Sequence, residues 1–223
     1  NDPLANKVVL IAQELTFNTD GTPLIFGLCS GVMISAKAVL TAAHCLSKGI
    51  DKMKVIINPK ARTSKITAEE IYTPTYYKIN PGYKKANQSY KDLKSLLDTV
   101  DLAILYLDRN TNADYDESFL TTTTPTTDFV NLVVAGFGKT TALRDGSGIS
   151  YNEISGNLLK ANLVISSTQT ETGFISLDQW QKSGVCSGDS GAPVFIKSED
   201  GKRLGLFALA VDVYQIFNEE TLV

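Results

Sequence analysis

Apolar residues in this chain fall in short runs broken by turn residues, not at the spacing of long amphipathic helices. Val8-Val9-Leu10-Ile11-Ala12-Gln13 reads as a buried strand, with a turn at Asp20-Gly21 behind it. From Pro23 to Ala43, apolar stretches alternate with small residues, and a further strand is predicted over Met53–Asn58. Leu102–Leu107 is strongly apolar. Later strands are predicted near Phe129–Phe137, Leu158–Ile165, Gly191–Lys197 and Gly205–Tyr214, with turn signals at Asp145-Gly146, Ser155-Gly156 and Asp200-Gly201. The connection from Tyr72 to Val100, which contains Asn80-Pro81-Gly82-Tyr83, is longer than a usual loop, so part of it should carry structure of its own. Within it, Leu93, Leu96 and Leu97 are spaced for a short helix over Tyr90–Leu97. The pattern as a whole predicts an all-β fold. Asn110–Asp128, rich in Thr, Asn and Asp, reads as a linker between two halves, dividing the chain into 1–115 and 116–223.

Composition narrows the class. With 223 residues, 43% of them hydrophobic, the chain can bury a real core and is not of the disordered type. A net charge of -3 gives no general basic footprint for nucleic acid. Lys84, Lys85, Lys91 and Lys94 form one local basic run, read as a solvated face. No apolar run is long enough to cross a bilayer. The chain opens Asn1-Asp2-Pro3 without the basic and apolar stretches of a signal peptide, so any leader is expected to have been removed already.

Candidate chemistry centres on Gly184-Val185-Cys186-Ser187-Gly188-Asp189-Ser190-Gly191-Ala192-Pro193. A serine between Asp and Gly suits a sharp turn that lifts a hydroxyl clear of the backbone, making Ser190 the candidate nucleophile. The Gly188 and Ser190 amides are candidates for an oxyanion hole. Taken alone, such a segment is as often only a turn. A serine hydroxyl needs a base, and the one histidine is His44, in Leu40-Thr41-Ala42-Ala43-His44-Cys45. An imidazole in that role needs a carboxylate to orient it, and Asp101 stands at the mouth of the apolar strand Leu102–Leu107.

The three segments TAAHC, VDLAIL and SGDSGAP, in the order His44, Asp101, Ser190, resemble the chymotrypsin/trypsin-like serine peptidase family. Cys29–Ser35 is similar to that family's strand before the histidine, and Val133–Thr140 to the opening of its second barrel. The resemblance spans most of the chain. It implies two six-stranded antiparallel β-barrels with the active site between them. It also implies peptide-bond hydrolysis through an acyl-enzyme by His44, Asp101 and Ser190, with protein or peptide as substrate. A disulfide between Cys29 and Cys45 follows from the same resemblance, and with it an oxidising compartment, extracellular or periplasmic. No cofactor is implied, and one His with three dispersed Cys offers no spacing for a metal. Asn87-Gln88-Ser89 matches a glycosylation acceptor.

Where the trypsin-type members carry an Asp six residues before the nucleophile, this chain has Gly184, and the family's Ser-Trp-Gly pocket wall is matched by Ala208-Leu209-Ala210. These substitutions favour a small-to-medium apolar substrate side chain. Two readings of Asp212 stand side by side: a continuation of the strand, or a carboxylate entering the pocket to select basic side chains. In the family a freed apolar N-terminus pairs with the acid before the nucleophile, so Asp189 is expected to need another partner here. Cys186 has no family partner and is expected to be a free thiol. The alternative to a peptidase is a precursor-like or non-catalytic member of the fold that acts by binding.

Overall fold

The computed structural model describes residues 2–83, 100–115, 132–139, 141–145, 148–153, 156–163, 165–169, 174–177, 184–197 and 204–211. The expected helix over Tyr90–Leu97, the lysine run, Asn87-Gln88-Ser89, Asp212 and most of the expected linker lie outside them. Among the described residues the protein is all-β, the only helical pieces being 3-10 turns at Ala43–Leu46 and Ala68–Glu70.

The first half is one antiparallel sheet built from β1 (Val8–Phe17), β2 (Pro23–Ser35), β3 (Ala38–Thr41), β4 (Lys54–Ile56), β5 (Ile71–Tyr72), β6 (Pro74–Ile79) and β7 (Ala103–Leu107). Its strand order is β5-β4-β1-β2-β3-β7-β6. The two end strands are consecutive in the chain and separated only by Thr73. Thr73 is itself tied to the end of β7: its N–H donates to Asp108 Oδ1 (3.1 Å) and its C=O accepts the Asp108 N–H (2.9 Å). The sheet therefore rolls up until its ends meet, and β5 with β6 forms one bent strand that completes a six-stranded ring. Part of the long connection after Tyr72 is thus a strand, as its length predicts.

The second half comprises β8 (Leu132–Gly136), β11 (Leu159–Leu163), β14 (Pro193–Lys197) and β15 (Leu204–Leu209), in the order β11-β8-β14-β15. Two hairpins accompany it: β9 (Thr141–Asp145) with β10 (Gly148–Glu153), and β12 (Ile165–Gln169) with β13 (Phe174–Leu177).

The apolar run at the start of β1 has a specific cause. Val9 and Ile11 point into the first sheet's own core, with Met33, Val39, Val55 and Leu105. Val8, Leu10 and Ala12, one step out of phase, join Phe137, Phe195 and Leu206 of the second half in a separate core. Because successive residues of a strand face opposite ways, a strand buried on both faces loses the polar alternation of a surface strand. All five residues from Val8 to Ala12 are fully buried. The two halves are thus packed on each other through β1, and the functional residues collect at the edge of that junction.

Candidate active site

His44 sits on the 3-10 turn that follows β3. Ala42 and Ala43, both buried, let this turn lie close against the core, and Cys45 is joined to Cys29 of β2 by a disulfide. The sulfur of Cys45 lies 3.9 Å from His44 Nε2, so the bridge backs the imidazole. Cys29, His44 and Cys45 bring their heteroatoms within 4.8 Å of one another, but both sulfurs are consumed in the disulfide and do not supply thiolates to a metal.

Asp101, which immediately precedes Leu102 and β7, is 7% exposed. Both of its carboxylate oxygens are used by the same residue. Oδ1 accepts the His44 main-chain N–H at 2.9 Å, and Oδ2 meets His44 Nδ1 at 2.6 Å. A carboxylate accepts only, so Nδ1 carries the proton in this pair and Nε2 is left as the ring's acceptor. The imidazole is held by its backbone and its ring at once, which fixes its plane.

Ser190 and His44 both line a cleft of about 410 Å³, together with Gln13, Gly27, Leu28, Gly188, Asp189 and Ala210. Among the described residues no hydrogen bond joins Ser190 Oγ to His44 Nε2. Catalytic contacts of this type are commonly long in the absence of substrate.

The turn that carries Ser190 is held by its main chain. The N–H and C=O of a trans peptide point in opposite directions, so fixing one aims the other. The Ser187 carbonyl accepts the Lys139 N–H at 2.9 Å, which turns the Gly188 N–H away from the second half. The Asp189 carbonyl accepts the Ala192 N–H at 2.7 Å, which does the same for the Ser190 N–H. Between them, Asp189 N–H donates to the Cys186 carbonyl (2.9 Å) and the Gly188 carbonyl accepts from Ser30 Oγ (3.1 Å). All three consecutive peptide planes are thereby pinned. Gly188 adopts φ +98° and Gly191 φ +80°, conformations suited to glycine. A Cβ on Gly191 would also collide with Thr41 Oγ1 and the Ser30 carbonyl.

Asp189 points the other way, inward. Its Oδ1 accepts the Gly138 N–H at 2.8 Å and its Oδ2 the Cys186 N–H at 2.9 Å. No ion pair reaches it among the described residues. Burial therefore raises its carboxyl above the usual range in spite of the two amides. Gly136 and Gly138 make the room: a Cβ on either would strike the carboxylate. The other partner expected for Asp189 is thus main chain. Cys186 is a free, partly exposed thiol on the cleft wall, and burial pushes its pKa up, with the Asp189 charge adding to the effect.

Of the residues expected to shape a substrate pocket, Ala210 lines the cleft. Its carbonyl accepts the Gly191 N–H (2.6 Å) and its N–H donates to the Ala192 carbonyl (2.8 Å), extending the β14–β15 ladder up to the nucleophile turn. Gly184 immediately precedes the lining residue Val185. Ala208 pairs with Val194 and packs in the second half's core, and Leu209 pairs with Pro193 and packs toward the core between the halves. The residues that sequence reasoning did not single out are Ser30, Thr41 and Lys139. Ser30 and Thr41 act through hydroxyls on main-chain groups and Lys139 through its own N–H, and a buried hydroxyl or an amide in this role leaves no pattern along the sequence.

Comparison with known proteins agrees with this geometry. The family described as Trypsin matches residues 14–210. A scabies mite inactivated protease paralogue, S-D1, superposes with a TM-score of 0.63 at 18% identity, covering 96% of this chain and 84% of that one. Human heparin binding protein superposes with the same TM-score and identity, covering 96% of this chain and 83% of its own. At such identity these two structures share the fold. By the family match over most of its length, and by the all-β architecture and ordered segments that carry it, this chain belongs to the trypsin family.

Proposed function

We propose that the protein is a secreted serine endopeptidase with His44, Asp101 and Ser190 as its catalytic residues. In this reading Ser190 attacks the peptide carbonyl while His44 Nε2 takes its proton. His44 then returns that proton to the leaving amine, and water releases the acyl group by the same route. Asp101 keeps the ring oriented and stabilises its charged form. The Gly188 and Ser190 amides receive the oxyanion. The first unit, 1–115, supplies the base and its carboxylate, and the second, 116–223, supplies the nucleophile. The cleft takes protein or peptide, with a small-to-medium apolar side chain favoured by Ala210 in its lining and by Gly184 next to the lining residue Val185, while Ala208 and Leu209 support that strand from the core side. Asp212 remains the candidate for a basic preference. The disulfide supports secretion, since such bonds persist in oxidising compartments.

The observation that carries the reading is the His44 Nδ1 to Asp101 Oδ2 contact of 2.6 Å, with His44 lining the same cleft as Ser190. The alternative, a precursor-like or non-catalytic member that binds through the same cleft, draws on the missing Ser190–His44 hydrogen bond. Labelling with a fluorophosphonate, mapped by mass spectrometry and compared with Ser190→Ala, separates the two. Covalent modification at Ser190 supports the peptidase; its absence, before and after limited proteolysis, supports the binding protein.

A further inference from the structure

Ser30 is fully buried and lies outside the proposed chemistry, yet it is hydrogen-bonded both to the turn that carries Ser190 and to the strand that leads to His44. Its N–H donates to the Ser190 carbonyl at 2.8 Å. Its Oγ–H donates to the Gly188 carbonyl at 3.1 Å, and the same oxygen accepts the Phe137 N–H at 3.0 Å. Its carbonyl accepts from Thr41 Oγ1 at 2.7 Å, in the strand that delivers His44. The preceding residue, Cys29, is bridged to Cys45 beside that histidine.

We propose that Ser30 is a positioning residue for the oxyanion turn. Its hydroxyl relays from the Phe137 amide of the second half to the Gly188 carbonyl, and so holds the peptide plane between the two amides that receive the oxyanion. The inference rests on the peptidase reading for its catalytic consequence, but not for the hydrogen-bond relay itself. A hydroxyl is the group this place requires, because one oxygen must both accept from an amide and donate to a carbonyl. An alanine leaves a donor and an acceptor unpaired in a site without solvent, and such groups do not stay put. The plane that Ser30 holds at the Gly188 carbonyl is held at its other end by the Asp189 N–H on the Cys186 carbonyl and is flanked by planes pinned by Lys139 and Ala192, so losing the hydroxyl removes one of its two tethers and loosens the aim of both neighbours.

Two measurements test this. Amide exchange of the unmodified protein reads the relay directly: the Phe137 N–H is as protected as its β8 neighbours if Ser30 holds it, and rapid exchange there overturns the proposal. For Ser30→Ala, the exchange expected is loss of protection at Phe137, Cys186 and Asp189, whose N–H groups are hydrogen-bonded, with β1 and β4 unaltered. Its kcat falls about 10- to 100-fold, short of the loss of a whole oxyanion donor, with KM within about twofold. An equal rise in KM, or wild-type kcat with wild-type exchange, overturns the positioning role. If the unmodified protein neither cleaves peptides nor reacts with a fluorophosphonate, the peptidase reading has failed, and exchange at Phe137, Cys186 and Asp189 alone decides whether Ser30 holds the turn. Should Ser30→Ala not fold, the exchange of the unmodified protein decides in the same way.

Discussion

The two walls of the cleft are organised by different physics. On the His44 wall, one side chain holds another: a buried carboxylate grips the imidazole and its own amide through both oxygens. On the Ser190 wall, the groups that matter are peptide planes, and they are aimed by hydrogen bonds on the carbonyls behind them. The first wall depends on charge and so on the identity of two residues. The second depends on shape and so on glycines, on one hydroxyl and on the close approach of β8. Even its carboxylate, Asp189, is met among the described residues by amides and not by a cation.

The largest effects should come from the charged wall. Asp101→Asn presents an amide where Nδ1 and the main chain both need an acceptor. Turnover of a peptide substrate is expected to fall by about 10⁴, a magnitude taken from the chymotrypsin-type template, with the fold intact by circular dichroism. A loss of less than tenfold would break the contrast between the walls. Next comes the Cys29–Cys45 bridge, with a sequence separation of 16. Replacing both cysteines by alanine should lower unfolding free energy by about 3 kcal/mol in urea titration. On the main-chain wall, Gly138→Ala places a methyl group against the Asp189 carboxylate, for an expected loss of about 2 kcal/mol together with slower fluorophosphonate labelling.

Asp189 itself sharpens the comparison through pH. Its folded-state pKa lies above the ordinary value, so the folded protein binds the proton more tightly than the unfolded chain does. That preference favours the native state in acid and is lost as pH rises through the unfolded and then the folded value. Urea midpoints taken from roughly pH 3 to pH 7 should therefore fall in the wild type relative to Asp189→Asn. A wild-type midpoint that rises relative to the variant would place a cation at the carboxylate after all. The smallest effect is expected for Cys186→Ala, within about 0.5 kcal/mol of wild type, because the thiol is partly exposed and its sulfur is bonded to no other cysteine.

Legibility in the sequence follows the same division. His44, Asp101 and Ser190 stand in segments whose residue types announce their chemistry, and the chain order ties them together. The strands of the first half were readable because burial on one or both faces leaves a run or an alternation, as Val8–Ala12 and Leu102–Leu107 do. Closure of the first sheet was legible only through the family resemblance, because it turns on a bend at Thr73 fixed by Asp108, and a Thr between two short apolar pieces carries no such message by itself. The partners of Asp189 were equally hidden: amides of Gly138 and Cys186 belong to every sequence, and only folding brings them to the carboxylate. Ser30 read as one more small residue in a strand. Its importance comes from Phe137 and Gly188, more than 100 residues away in the chain.

The most direct test of the account is fluorophosphonate labelling of the protein as purified, run beside Ser190→Ala and His44→Ala. The account predicts a single adduct on Ser190 in the unaltered protein and none in either variant. An unlabelled wild type, before and after limited proteolysis, would contradict it.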